Sequence, residues 1–129
     1  MCRDGWVCIW VYNHRFAAVS RTLGLEALID DPRFAEPGRR SGNWEAFFAL
    51  VQEKVADREA QEVVASLQEA QVIAAKAYRP SELARHPHLA ARGYWETVIH
   101  DGEPRRVPGP PFRLSLTPRV TGAAGGAVP

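Results

Sequence analysis

The sequence predicts an α+β fold: a small domain with a three- or four-stranded sheet, packed helices and an extended C-terminal tail. Three observations carry this. Two β-branched and aromatic runs, Trp6–Val11 and Tyr94–Ile99, stand far apart in the chain. Between them lie two apolar stripes at helical spacing, over 43–56 and 58–70. After Val107 the text becomes Pro-Gly-Pro-Pro and then Ala/Gly-rich, with too few large apolar residues to pack. The domain is placed at 1–108 and the Pro/Gly-rich extended segment at 109–129.

At 129 residues, with 46% hydrophobic and 9% aromatic content, the chain fits one domain with a modest core. Its 16 basic and 15 acidic residues leave a net charge of +1. So even a balance makes no electrostatic case for nucleic acid or a membrane surface. The apolar runs fall short of the roughly 20 residues of a spanning helix. MCRDGWVCIWVY lacks a following small-residue cleavage site and reads as a strand rather than a signal peptide.

Taken in order, Asp4-Gly5 is a turn. Trp6 to Tyr12 is apolar at nearly every position, which predicts a strand covered on both faces. Asn13 reads as an N-cap, Phe16, Val19 and Leu23 as one helical face, and Gly24 as the stop. Leu25–Ile29 is a helical turn closed by Asp30-Asp31-Pro32. Arg33–Gly42 reads as a loop. Asn43 caps a helix to about Ala56, with Trp44, Phe47, Phe48, Val51 and Val55 along one stripe. Asp57 caps the next, to about Ala70, with Val63, Val64 and Leu67 inward. Val72–Ala75 is a short strand. Arg79-Pro80-Ser81-Glu82 begins another helix, Pro87 interrupts, and Gly93 ends a further turn. Asp101-Gly102 signals a hairpin whose return strand is Arg105–Val107.

Each chemically suggestive group has an ordinary reading beside it. Cys2, Cys8 and His14 match no common zinc spacing, and Cys2 and Cys8 sit about 20 Å apart along an extended strand, too far for a disulfide. They read as reduced thiols, which points to a cytoplasmic location. Arg39 and Arg40 suit a phosphate or carboxylate, but read as a solvated loop pair. Trp44, Phe47 and Phe48 suit a ligand pocket, but their period reads as core. His100 beside Asp101 suggests a general base with its carboxylate, yet neighbours on a strand face opposite ways, so they read as hairpin-edge residues. Arg105, Arg106 and Arg113 suit CoA phosphate oxygens, but read as solvated. His86 and His88 flank Pro87 and read as helix-end residues. The residues alone therefore name no catalytic group, no metal ligand and no tightly bound cofactor.

Ordered motifs add a resemblance. ELARHPHLAARG, a strand ending in His100, a Gly turn and VPGPPFRLSLTP follow one another from Glu82 to Pro118. Ahead of them stand Asp4-Gly5-Trp6-Val7, Leu23-Gly24, Asp30-Asp31-Pro32-Arg33-Phe34 and Arg40 with Asn43. This order closely resembles the C-terminal third of family III CoA-transferases, of the CaiB/BaiF type, from about Asp4 to Pro118. One departure is Leu67–Val72, LQEAQV, where Gln71 replaces a glycine and Ile73 a proline, so that turn is expected to be built differently.

The resemblance implies a portion of an acyl-CoA transferase that moves CoA between carboxylic acids. The family's aspartate forms an acyl anhydride and then a thioester with CoA, which is covalent catalysis by a carboxylate. That aspartate and the Rossmann-like domain are expected outside this chain. None of Asp30, Asp31, Asp57 or Asp101 stands at its position. CoA and acyl-CoA are expected as substrates of the intact enzyme, and a catalytic large domain or second chain as partner. Two alternatives are a portion of an α-methylacyl-CoA racemase-like enzyme and a non-catalytic interaction module or gene remnant. The resemblance implies interlocked dimers for full-length members; the threading parts are expected outside this chain, so the interlock is not carried over. An exposed apolar patch is expected where a large domain would dock.

Overall fold

The computed structural model describes residues 1–112 and 114–117. They form two compact units, one from Met1 to Tyr78 and the other beginning at Arg79, a division inside the 1–108 segment.

The first unit contains β1 (Trp6–Trp10), α1 (Phe16–Thr22), α2 (Pro37–Ser41), α3 (Trp44–Val55), α4 (Ala60–Glu69) and β2 (Ile73–Ala77). β1 and β2 pair antiparallel with Trp6 opposite Ala77, Cys8 opposite Ala75 and Trp10 opposite Ile73. The helical stripes read from the sequence form the core. Phe16, Val19 and Leu23 are buried, as are Val63, Val64 and Leu67. Phe16, Phe34 and Phe47 are fully buried, with centroid distances of 5.1 and 6.1 Å from the Phe16 ring, a geometry that adds to their area burial.

Several local devices differ from the sequence reading. Asn13 opens a 3-10 turn, Asn13–Arg15, and α1 starts at Phe16 with no side-chain cap. Asn43 precedes α3 but turns its amide back, donating to Arg39 O at 2.8 Å and Arg33 O at 3.3 Å. Asp57 does not cap α4. The Ala60 N–H donates instead to Asp4 Oδ1 at 2.6 Å, so a carboxylate 56 residues away satisfies that helix end. The loop expected over 33–42 contains the short α2, begun by Pro37 at its first turn.

Gly24 does end the first helix, at φ 68°, with Leu25 N–H donating to Ser20 O at 2.7 Å. Gln71 takes the same left-handed geometry after α4, at φ 56°, with Val72 N–H donating to Leu67 O at 2.9 Å. The departure at LQEAQV therefore keeps a left-handed turn. A side chain bears the strain that glycine would avoid.

The second unit contains α5 (Pro80–Leu83), α6 (Pro87–Ala91), β3 (Trp95–His100) and β4 (Glu103–Pro108). Each helix begins on a proline, and the Arg79 N–H ahead of α5 donates to Glu82 Oε2 at 2.7 Å. Gly93, at φ 56°, ends α6, where Tyr94 N–H donates to Leu89 O at 3.0 Å. β3 and β4 pair antiparallel around Asp101-Gly102, whose φ values of 53° and 78° match the hairpin turn expected of that dipeptide. The fold is thus mixed α and β, as the sequence predicts. Among the described residues its four strands divide into two ladders, one in each unit.

Candidate functional site

The candidate groups do not converge. Among the described residues no three His, Cys, Asp or Glu side chains gather as metal ligands. Cys2 is buried in the core, Cys8 is exposed, and both are free thiols. Burial pushes the Cys2 thiol above its ordinary pKa.

Arg40 overturns its reading as a solvated loop residue, being only 9% exposed. Its Nε donates to Phe34 O, its Nη1 to Asn13 O at 2.9 Å and its Nη2 to Ala35 O at 2.9 Å. The guanidinium lies 4.3 Å from the Phe16 ring centroid. This group is engaged by the fold and offers no open fork to a phosphate. Arg39 remains exposed, as read.

The Asp30–Phe34 motif has a comparable structural job. Asp31 Oδ1 accepts the Arg33 N–H at 2.8 Å and Asp31 Oδ2 accepts Arg33 Nη2 at 2.7 Å. These hydrogen bonds hold the Asp31 carboxyl below its ordinary pKa, the guanidinium contact contributing most. The tightened turn drops Phe34 into the core.

His100 Nε2 lies 3.5 Å from Asp101 Oδ2, because Asp101 has left the strand geometry for the left-handed turn. Both side chains are well exposed, which fits hairpin-edge residues rather than a shielded base. Arg105 and Arg106 are exposed on β4, and Arg106 lies 4.9 Å from the Trp95 ring centroid. Arg113 lies outside the described residues. His86 sits before α6 and His88 within it, with ring centroids 6.4 Å apart.

The aromatic trio divides. Phe47 is core, Trp44 is half-buried, and Phe48 is exposed at a groove also lined by Met1, Val7, Val51 and Val55.

The most unusual surface of the first unit is one side of its ladder. Directly opposed residues share a face, so Trp6, Cys8, Trp10, Ile73, Ala75 and Ala77 form one surface. All six are exposed, with Trp6 at 62%, Trp10 at 63% and Ile73 at 60%. No charged residue interrupts it. The expectation that β1 is covered on both faces fails here because nothing described in the first unit lies over this side. The expected apolar patch is present. A strand apolar on both faces was its sequence signal; which face stays open was not legible.

Comparisons with known proteins give the frame for these features. A family model described as CoA-transferase family III matches residues 1–125. The structure of Rv3272 from Mycobacterium tuberculosis matches with a TM-score of 0.79 and 25% identity, over 97% of this chain and 36% of that one. A CaiB/BaiF family protein from Brucella suis matches with a TM-score of 0.77 and 26% identity, over 92% of this chain and 30% of that one. A comparison with curated proteins found no match. The chain spans about a third of the length of these solved relatives. No helix among the described residues is long and apolar enough to cross a membrane. With the family match over nearly its whole length, the chain belongs to CoA-transferase family III.

Proposed function

We propose that this chain is the C-terminal portion of an acyl-CoA transferase that moves CoA between carboxylic acids, and that the nucleophilic aspartate lies outside it. One observation carries the reading. A family III chain a third as long as its solved relatives leaves a six-residue apolar sheet face uncovered. A surface of that kind is usually hidden against another body. We assign the cover to a catalytic large domain, on the same polypeptide or a second chain.

In the assembled enzyme the chemistry would follow the family. A carboxylate attacks the acyl-CoA carbonyl and expels the CoA thiolate, leaving a mixed anhydride. The thiolate returns to the anhydride at the enzyme's acyl carbon and releases the first acid. The second acid then attacks the enzyme thioester and, after a further exchange, departs as its CoA ester. CoA and acyl-CoA enter as substrates, with no tightly bound cofactor. The two free thiols fit a reducing, cytoplasmic setting.

The test is transferase activity with a labelled acid acceptor, on this chain alone and on the chain assembled with a catalytic portion. Activity is expected only in the assembly. Turnover by the isolated chain would overturn the reading.

A further inference from the structure

The open face of the β1–β2 ladder is not its only unfinished boundary. Cys2 and Gly5 form an antiparallel bridge, with Cys2 N–H donating to Gly5 O at 2.8 Å and Gly5 N–H donating to Cys2 O at 3.4 Å. Arg3-Asp4 is the turn between them, and it is firmly held. The Arg3 N–H donates to Arg58 O at 3.0 Å, and Asp4 accepts from both Ala60 N–H and Lys76 Nζ. The backbone at Cys2 is thereby laid beside the edge of β1 that faces away from β2.

Along a strand, alternate residues direct their amides to the same edge. Gly5 points toward Cys2, so Val7 and Ile9 present their N–H and C=O groups to that outer edge. Beside the edge runs the groove between β1 and α3, lined by Val7, Ile9, Phe48, Val51 and Val55. Its mouth is tied by Gln52, whose Nε2 donates to Met1 O at 2.7 Å and whose Oε1 accepts from the Met1 amino group. A strand edge to which no other strand pairs among the described residues, next to an apolar groove and continuous with a preformed hairpin start, is a template for another strand.

We propose that the outer edge of β1 takes an extended segment as a third, antiparallel strand. Its source is the part of a family III enzyme that lies outside this chain. This rests on the reading of the chain as a portion of that enzyme, and it names which surface of the portion is engaged. Alternate side chains of the segment settle on Phe48, Val51 and Val55, while the others extend the Trp6–Trp10 face. The groove wall formed by Val7, Ile9, Phe48, Val51 and Val55 carries no charge, and its polar groups, Gln52 and the Met1 amino group, satisfy each other at the mouth, so the segment is apolar at alternate positions and offers free amides opposite Val7 and Ile9. The length outside the chain is ample, since the solved relatives are about three times as long.

The test uses amide hydrogen exchange by NMR and needs no CoA chemistry, so its failure is separate from failure of the transferase reading. The probes are the chain itself and a variant with five residues, alternating threonine and valine, placed ahead of Met1. A control carries a glycine-serine extension of equal length. In the unextended chain Val7 and Ile9 are expected to exchange fast and Cys8 and Trp10 slowly. The threonine-valine extension should slow Val7 and Ile9 by at least about tenfold, and the control should leave them fast. Slow exchange at Val7 and Ile9 in the unextended monomer, or no slowing by the extension, would overturn the proposal. Concentration-dependent slowing, with a dimer mass by light scattering, would assign the edge to a second copy and overturn the occupant named here.

Discussion

Replacing Arg40 by alanine tests whether a residue from a Pro/Gly/Arg loop holds the first unit together. The wild-type guanidinium donates to three backbone carbonyls, on Phe34, Ala35 and Asn13, and covers the Phe16 ring. Hydrogen bonds from a charged group contribute about 1.5–3 kcal/mol each when nothing replaces them. Asn13 and Ala35 are exposed and regain water, so only the bond to buried Phe34 is charged near that full value. A cation–π contact adds about 1 kcal/mol. The expected loss for Arg40→Ala is therefore about 3 kcal/mol. Arg40→Lys should recover less than half, because one ammonium cannot span three separated carbonyls. Urea unfolding would report this as a lower midpoint with an unchanged slope. A loss under about 0.5 kcal/mol, the range of an ordinary surface substitution, would refute the reasoning.

Three further outcomes are expected. Gln71→Gly relieves the left-handed backbone strain and should stabilise by about 0.5–1 kcal/mol in the same urea assay; a loss of stability would show that the Gln71 side chain holds the turn. The Asp4 carboxyl is held below its ordinary pKa, first by the Ala60 N–H and then by Lys76. A carboxyl depressed in the folded state contributes stability fully above its unfolded pKa and loses it as pH falls through the folded value. Asp4→Asn should therefore be less stable than wild type at neutral pH. The gap should close in acid, below the usual carboxylate range; a pH-independent gap would count against the charge argument. Trp6→Ser with Trp10→Ser should sharply reduce binding of a hydrophobic dye while leaving the urea midpoint nearly unchanged, because both indoles are largely exposed. Unchanged dye binding would remove the apolar face as the exposed patch.

What the sequence discloses here is what depends on neighbours a few residues apart. The stripe Phe16, Val19, Leu23 and the stripe Val63, Val64, Leu67 lie on the faces their spacing predicts, since helical periodicity is local. The Asp101-Gly102 turn was legible for the same reason. Asp4 capping α4 was not, because the cap comes from 56 residues away and no spacing rule reaches that far. Arg40 reads as a solvated residue because its sequence neighbours are loop-formers, while the fold brings the carbonyls of Asn13, Phe34 and Ala35 to it. β1 illustrates a different limit. Apolar residues on both faces signalled the strand, but periodicity could not say that the Trp6–Trp10 face would lie open.

We read this chain as a family III portion whose working site lies elsewhere. Isothermal titration of the purified chain with CoA and with acetyl-CoA tests it most directly. No binding heat is expected for either ligand. Saturable binding of CoA that is lost on replacing Arg105 and Arg106 would contradict it and place the CoA site within these residues.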